Sequence, residues 1–211
     1  MILGLTGGYC SGKSSAAAAL KGAGWVIIDV DAMGHAALEA CAKSVADLLG
    51  PSVLKTDGSP DRRAIGAMVF SDQALLTRYE AIVHPAMNDL VEQAILEQEL
   101  LKRASAYGDV SRCPGVCVDA ALLYRLPVAE RCEAIIELRS SLLARIRRGR
   151  QRDGLGPRAV IDRIKRQRPL WIAGKAYADR VAIVKNSGSK ADLGAAVLAV
   201  VSSILSEAGL N

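Results

Sequence analysis

Ile2–Ser15 reads ILGLTGGYCSGKSS, and the change of character along this stretch decides the fold. Ile2 to Thr6 is a short, nearly continuous apolar run, the pattern of a strand buried on both faces. Gly7, Gly12, Lys13 and Ser14 then match G-x-x-x-x-G-K-[ST]. The Ala-rich run from Ser14 to Leu20 predicts a helix, ended by Gly22 and Gly24. A strand feeding directly into such a loop, and the loop into a helix, is the context in which this pattern binds phosphate. The backbone N–H groups around Gly7, Gly8, Cys10, Ser11 and Gly12 wrap phosphate oxygens. Lys13 reaches the outer phosphates and the Ser14 hydroxyl holds Mg2+. A glycine-rich turn with an exposed lysine would not need the strand before it and the helix after it.

Outward from this loop, Trp25 to Ile28, Val116 to Val118, Ala134 to Leu138 and Val181 to Val184 predict further buried strands. Helices are predicted over Ala32 to Leu49 (stopped by Gly50-Pro51), Ser140 to Gly149, Pro157 to Trp171 and Ala191 to Leu205. Strands alternating with helices predict an α/β fold, a five-stranded parallel sheet with helices on both faces. Two helical excursions interrupt the rhythm. One is Arg62 to Arg103, read as short helices at Arg62–Phe70 and Leu75–Val83 and a longer one at Ala86–Arg103. The other is Gly149 to Trp171. The expectation is one domain over 1–211, with a core of 1–60, 107–148 and 172–211, a substrate insertion near 61–106 and a lid near 149–171.

The bulk properties narrow the class. Hydrophobic residues make up 51% of the 211, which excludes a disordered chain and allows one full core. The five cysteines are odd in number and irregularly spaced, and no charged segment followed by a long apolar run opens the chain. A reduced, cytoplasmic protein is expected. Cys113 and Cys117 lie four apart without a nearby histidine, so burial is the expected role of Cys117 rather than metal binding. The apolar run Leu193 to Leu205 is too short for a bilayer and reads as a packed helix. The net charge of +5 is concentrated between Arg139 and Arg168, where the stacking aromatics of a nucleic-acid groove are missing, so no nucleic-acid or membrane partner is expected. No marker of oligomeric state is present.

Several polar residues stand where chemistry is expected. Asp29 and Asp31 end the second strand, and strand carboxyl ends face the ligand crevice of a parallel sheet. A carboxylate there can accept the proton of a hydroxyl attacking a terminal phosphoryl group, or can cap the following helix; one can do each. Asp119, ending the third strand, can hold a water on Mg2+ or serve a turn. Arg145, Arg147, Arg148, Arg150 and Arg152 would repel one another without anions, so two of these are expected to contact phosphate from the lid and the rest to face solvent. Loop, carboxylate and arginines together point to an ATP-dependent kinase.

The order TGGYCSGKS (Thr6–Ser14), DVDAMGH (Asp29–His35), His84-Pro85, Leu122-Leu123 and RGRQRDG (Arg148–Gly154) resembles the dephospho-CoA kinase family, and the likeness covers nearly the whole chain. The resemblance implies transfer of the ATP γ-phosphoryl to the ribose 3′-hydroxyl of a small-molecule acceptor, dephospho-CoA, in the last step of coenzyme A synthesis. It implies Asp31 as base, Lys13 and Arg148 on the transferring phosphoryl, Ser14 on the metal, Ser15 beside it, and Arg152 as a second lid arginine. It implies Asn186 and Gly188 around adenine, and Thr6, His35, Arg63, His84 and Leu122 toward the acceptor. The sequence departs from the family pattern at four places: Cys10 for a common glycine, Ser15 for threonine, Ala121 for proline and Arg125 for an acid. A kinase for another small acceptor shares the loop, sheet and lid, and a nucleotide-binding relative without turnover is the reading those departures favour.

Overall fold

The computed structural model describes residues 1–105 and 114–209, so Cys113 lies outside the described residues. In chain order the elements are β1 (Ile2–Gly7), α1 (Lys13–Gly22), β2 (Val26–Asp29), α2 (Val30–Ala40), α3 (Ala42–Leu49), α4 (Arg62–Val69) and α5 (Gln73–Ser105). They continue as β3 (Val116–Asp119), β4 (Ala134–Arg139), α6 (Leu142–Asp153), α7 (Pro157–Arg166), α8 (Arg168–Ala173), β5 (Val181–Lys185) and α9 (Lys190–Glu207). The five strands form one parallel sheet in the order β2-β3-β1-β4-β5. β1 is therefore central, with Leu5 opposite Asp119 on one side and Thr6 opposite Glu137 on the other. Every residue of β1 is buried, which is why its sequence is apolar without alternation.

The chain forms two compact units, Met1–Ile28 with Glu97–Asn211, and Asp29–Leu96. In the first, Leu3, Leu5, Leu20, Ile136 and Leu138 of the sheet and α1 pack with Leu193, Val197 and Val201 of α9. The run Leu193 to Leu205 is thus part of a packed helix, and among the described residues no helix is long and apolar enough to cross a membrane. Cys117 is buried in β3, where burial pushes its thiol well above the ordinary range, so it packs as a small apolar residue.

The second unit is helical, and two of the sequence expectations for it need correction. Ala32 to Leu49 is not one helix. The Cys41 N–H closes α2 on the Ala37 carbonyl, while the Cys41 carbonyl already accepts from Val45 at the start of α3. Nor do helices break at His84-Pro85: α5 runs unbroken for 33 residues with Pro85 inside it. Proline within a helix costs about 3 kcal/mol through a lost hydrogen bond and a ring clash. Val83, Met87, Val91 and Ile95 repeat at four-residue spacing and are all buried, while Pro85 is exposed. Burying side chains of that size is worth about 1.5–3 kcal/mol each, so the apolar face outweighs the proline. A third difference lies in the first unit, where Pro157 to Trp171 divides at Gln167 into α7 and α8. Pro169 lies in the first turn of α8, where its missing N–H leaves no intrahelical bond unmade.

Candidate active site

Between β1 and α1 the chain turns through Gly8–Gly12, with the Ser11 N–H donating to the Gly8 carbonyl at 2.9 Å. Gly12 adopts φ 108°, and a side chain there would collide with the amide of Asn186, so only glycine fits. Cys10 also takes a positive φ, 58°. The departure from glycine noted in the sequence therefore falls on a left-handed backbone, at a cost L side chains seldom bear. α1 starts without a side-chain cap, and the N-terminus of a helix is where its dipole attracts an anion.

Three consecutive loop carbonyls are engaged from outside the loop. Arg145 Nε donates to the Tyr9 carbonyl at 2.7 Å, Arg148 Nη1 to the Cys10 carbonyl at 3.1 Å, and Asn186 Nδ2 to the Ser11 carbonyl at 2.8 Å. With these three carbonyls held from outside, the loop backbone is fixed in a turn of the kind whose N–H groups can form an anion-binding nest. The clamp is itself braced. Arg148 Nη1 also donates to Ser140 Oγ at 2.9 Å, Ser140 Oγ to the Asn186 carbonyl at 3.0 Å, and the Asn186 N–H to the Arg139 carbonyl at 2.7 Å. Arg145 is half-buried, and burial lowers its pKa, yet its site contributes positive charge directly behind Gly8. Among the described residues, its Nη2 and the Ser11 hydroxyl are buried without a hydrogen-bond partner, both at this one loop.

Lys13 and Asp119 meet in a nearly buried ion pair, Nζ to Oδ1 at 2.5 Å, with side chains 16% and 9% exposed. Asp119 comes from the end of β3, beside β1 in the sheet, so the parallel order itself delivers the carboxylate to the lysine. Ser14 is exposed in the first turn of α1, with Ser15 next to it. Thr6 is buried at the end of β1, its hydroxyl donating to the Ala121 carbonyl at 3.5 Å, and Leu122 is exposed in the turn after β3.

Of the arginines in α6, Arg148 clamps the loop, Arg147 and Arg150 face solvent, and Arg152 pairs with Asp153 at 2.8 Å. Hydrogen bonds from Arg152 and then Tyr9 hold the Asp153 carboxyl down at about 2. Tyr9, Asp153, Arg163 and Gln167 form contacts at the loop without having been singled out from the sequence, and Arg145, one of the five lid arginines named there, reaches the loop backbone. The i, i+3 spacing of Arg145 and Arg148 was the available signal, since it puts both on one helix face. Gly188 is exposed after β5, and Asn186 is buried against the loop.

The remaining candidates belong to the helical unit. Asp29 is the N-cap of α2, its carboxylate accepting from the Ala32 N–H at 3.0 Å. Asp31, exposed in the first turn of α2, is therefore not the cap. His35 is exposed one turn further along α2, Arg63 is exposed in the first turn of α4, and His84 is half-buried in α5.

A family model described as dephospho-CoA kinase matches residues 1–192. A dephospho-CoA kinase of Geobacter sulfurreducens is 32% identical over 91% of this chain and 92% of its own length. One of Anaeromyxobacter dehalogenans is 34% identical over 89% and 84%. Among solved structures, a Thermus thermophilus protein superposes with a TM-score of 0.75 at 31% identity, covering 96% of this chain and 97% of its own. A dephospho-CoA kinase of Campylobacter jejuni, at 22% identity, shares the fold with a TM-score of 0.64 over 96% of each chain.

Proposed function

The chain belongs to the dephospho-CoA kinase family, and from that premise we propose that its loop binds ATP and passes the γ-phosphoryl to the ribose 3′-hydroxyl of dephospho-CoA. The observation that carries the reading is the set of loop carbonyls held outward by Arg145, Arg148 and Asn186 beside an inward-facing lysine. A nest of that kind suits the oxygens of a polyphosphate.

The Gly7–Ser15 backbone cradles the phosphates, Lys13 and Arg148 neutralise charge on the transferring group, and Arg152 adds a second guanidinium. Asp31 accepts the proton of the 3′-hydroxyl as the new O–P bond forms, while the bond from the γ-phosphorus to the bridging oxygen breaks and ADP leaves. Asn186 and Gly188 flank adenine. Thr6, His35, Arg63, His84 and Leu122 bind the acceptor, with 61–106 as its insertion and 149–171 as a lid on a core of 1–60, 107–148 and 172–211. The Ser14 hydroxyl and the Asp119 carboxylate are hard oxygen donors that suit Mg2+, and these would hold it. Held there, Mg2+ would supply positive charge to the phosphate oxygens.

A coupled ADP-release assay across dephospho-CoA, a nucleoside monophosphate, shikimate and gluconate tests the acceptor, with turnover expected on the first alone. Turnover on a nucleoside monophosphate and none on dephospho-CoA would overturn the assignment. The base is tested by Asp31→Asn, for which kcat is expected to fall at least ~10²-fold with ATP binding retained. Near-wild-type turnover would leave Asp31 no part in proton transfer.

A further inference from the structure

Tyr9 stands in the phosphate loop, and all its polar groups are taken up by the segment from Arg145 to Gln167. Its N–H donates to Gln167 Oε1 at 2.7 Å, its carbonyl accepts from Arg145 Nε at 2.7 Å, and its hydroxyl donates to Asp153 Oδ2. Two guanidinium groups lie over its ring, Arg152 at 5.1 Å and Arg163 at 5.3 Å from the centroid. Asp153 ties the same groups together, meeting Arg152 Nε at 2.8 Å, Arg152 Nη2 at 3.0 Å and Arg163 Nη1 at 3.5 Å. Gly149 of α6 is buried here, because a side chain would come within 3.1 Å of the Tyr9 ring and 2.8 Å of Val160 in α7. Loop, α6 and α7 therefore converge on one aromatic side chain.

Long arginine side chains lose rotamer freedom when they are fixed on a ligand, and a protein that has already ordered them binds the ligand more tightly. Two guanidiniums brought close together also need a counter-charge, which Asp153 supplies. We propose that Tyr9 is a positioning residue: it docks the arginine-bearing α6–α7 segment onto the phosphate loop, so that Arg152 and Arg163 are ordered beside the loop before a nucleotide arrives. The ring holds the guanidiniums through its π face, and the hydroxyl holds the carboxylate that keeps them together. The proposal rests on the loop being the nucleotide site.

Two substitutions separate ring from hydroxyl while leaving the backbone bonds of residue 9 in place. Tyr9→Leu removes both, and Tyr9→Phe keeps the ring. Trypsin cleavage between Arg145 and Arg168, followed by peptide mapping on the nucleotide-free protein, reads docking without reference to activity. Cleavage is expected to quicken about tenfold in Tyr9→Leu, which loses two cation–π contacts and the hydrogen bond, and less in Tyr9→Phe, which loses the hydrogen bond alone. The KM for ATP is expected to rise about tenfold in Tyr9→Leu, with kcat falling as well because Arg152 also serves the transferring group, while Tyr9→Phe keeps both within about threefold of the wild type. Should Tyr9→Leu fail to fold, Asp153→Asn keeps the shape of the cluster and removes its charge, and faster cleavage is again expected. An unchanged cleavage rate overturns the docking. Faster cleavage with an unchanged KM for ATP overturns the positioning role. A wild-type protein without kinase activity counts against the functional reading instead, and mant-ATP affinity then replaces KM, a rise in Kd in Tyr9→Leu supporting positioning and an unchanged Kd overturning it.

Discussion

At the scale of single residues, Cys10 is the position where the loop bears a conformational cost. An L residue in the left-handed region loses about 1–2 kcal/mol to crowding of its Cβ against the following carbonyl. The Arg148 bond to the Cys10 carbonyl helps to hold it there. Cys10→Gly removes the crowding, but glycine returns about 0.5–1 kcal/mol of backbone freedom to the unfolded chain. The first effect is the larger, so the variant is expected to be more stable by about 0.5–1 kcal/mol, read as a higher urea midpoint at constant m-value. A lower midpoint would show that the Cys10 side chain contributes more than its backbone costs. The pattern G-x-x-x-x-G-K-[ST] marked the loop, because its residues are contiguous. It carried no information on φ at its variable positions, which only the fold fixes.

At the scale of elements, helix ends were partly legible and helix continuity was not. α9 begins with a reciprocal capping box. The Asp192 N–H donates to Ser189 Oγ at 3.2 Å, and the Ser189 N–H to Asp192 Oδ2 at 2.8 Å. Ser189→Ala is expected to cost about 1 kcal/mol. The tryptophan-monitored urea midpoint checks this, because Trp25 and Trp171 both belong to the unit that contains α9. A change under about 0.3 kcal/mol would mean that α9 is held by its packed face alone, as sites free of such features usually shift by no more than ±0.5. Cys41 and Pro85 show the opposite limit. A short-range reading stops a helix at proline and carries it through cysteine, whereas here burial of Val83, Met87, Val91 and Ile95 carries α5 past the proline. The break at Cys41 has no counterpart in local propensity.

At the scale of the whole molecule, ligand binding should register as stability of the sheet unit. A ligand that binds only the native state adds about 2.7 kcal/mol at a concentration one hundred times its Kd. Mg·ATP at such a concentration is therefore expected to raise the tryptophan-monitored melting temperature of the wild type. In Lys13→Ala the rise should largely disappear if Lys13 has the phosphate-binding role proposed for it. Equal shifts in the two proteins would remove Lys13 from nucleotide binding, whatever its bond to Asp119 contributes to the fold.

The sequence by itself determined the phosphate loop, the five strands and the class of the fold, because each is written in neighbouring residues as an apolar run, a glycine spacing or a capping side chain. It also named Lys13, Ser14, Asp119 and Arg148. Tertiary structure alone decided that Asp29 rather than Asp31 caps α2, that Cys10 is left-handed, and that Tyr9 is held by Arg145, Asp153 and Gln167. Those three partners stand between 136 and 158 residues away from Tyr9 along the chain. The order β2-β3-β1-β4-β5 brings such distant segments to the two sides of one central strand, and no local periodicity encodes that order.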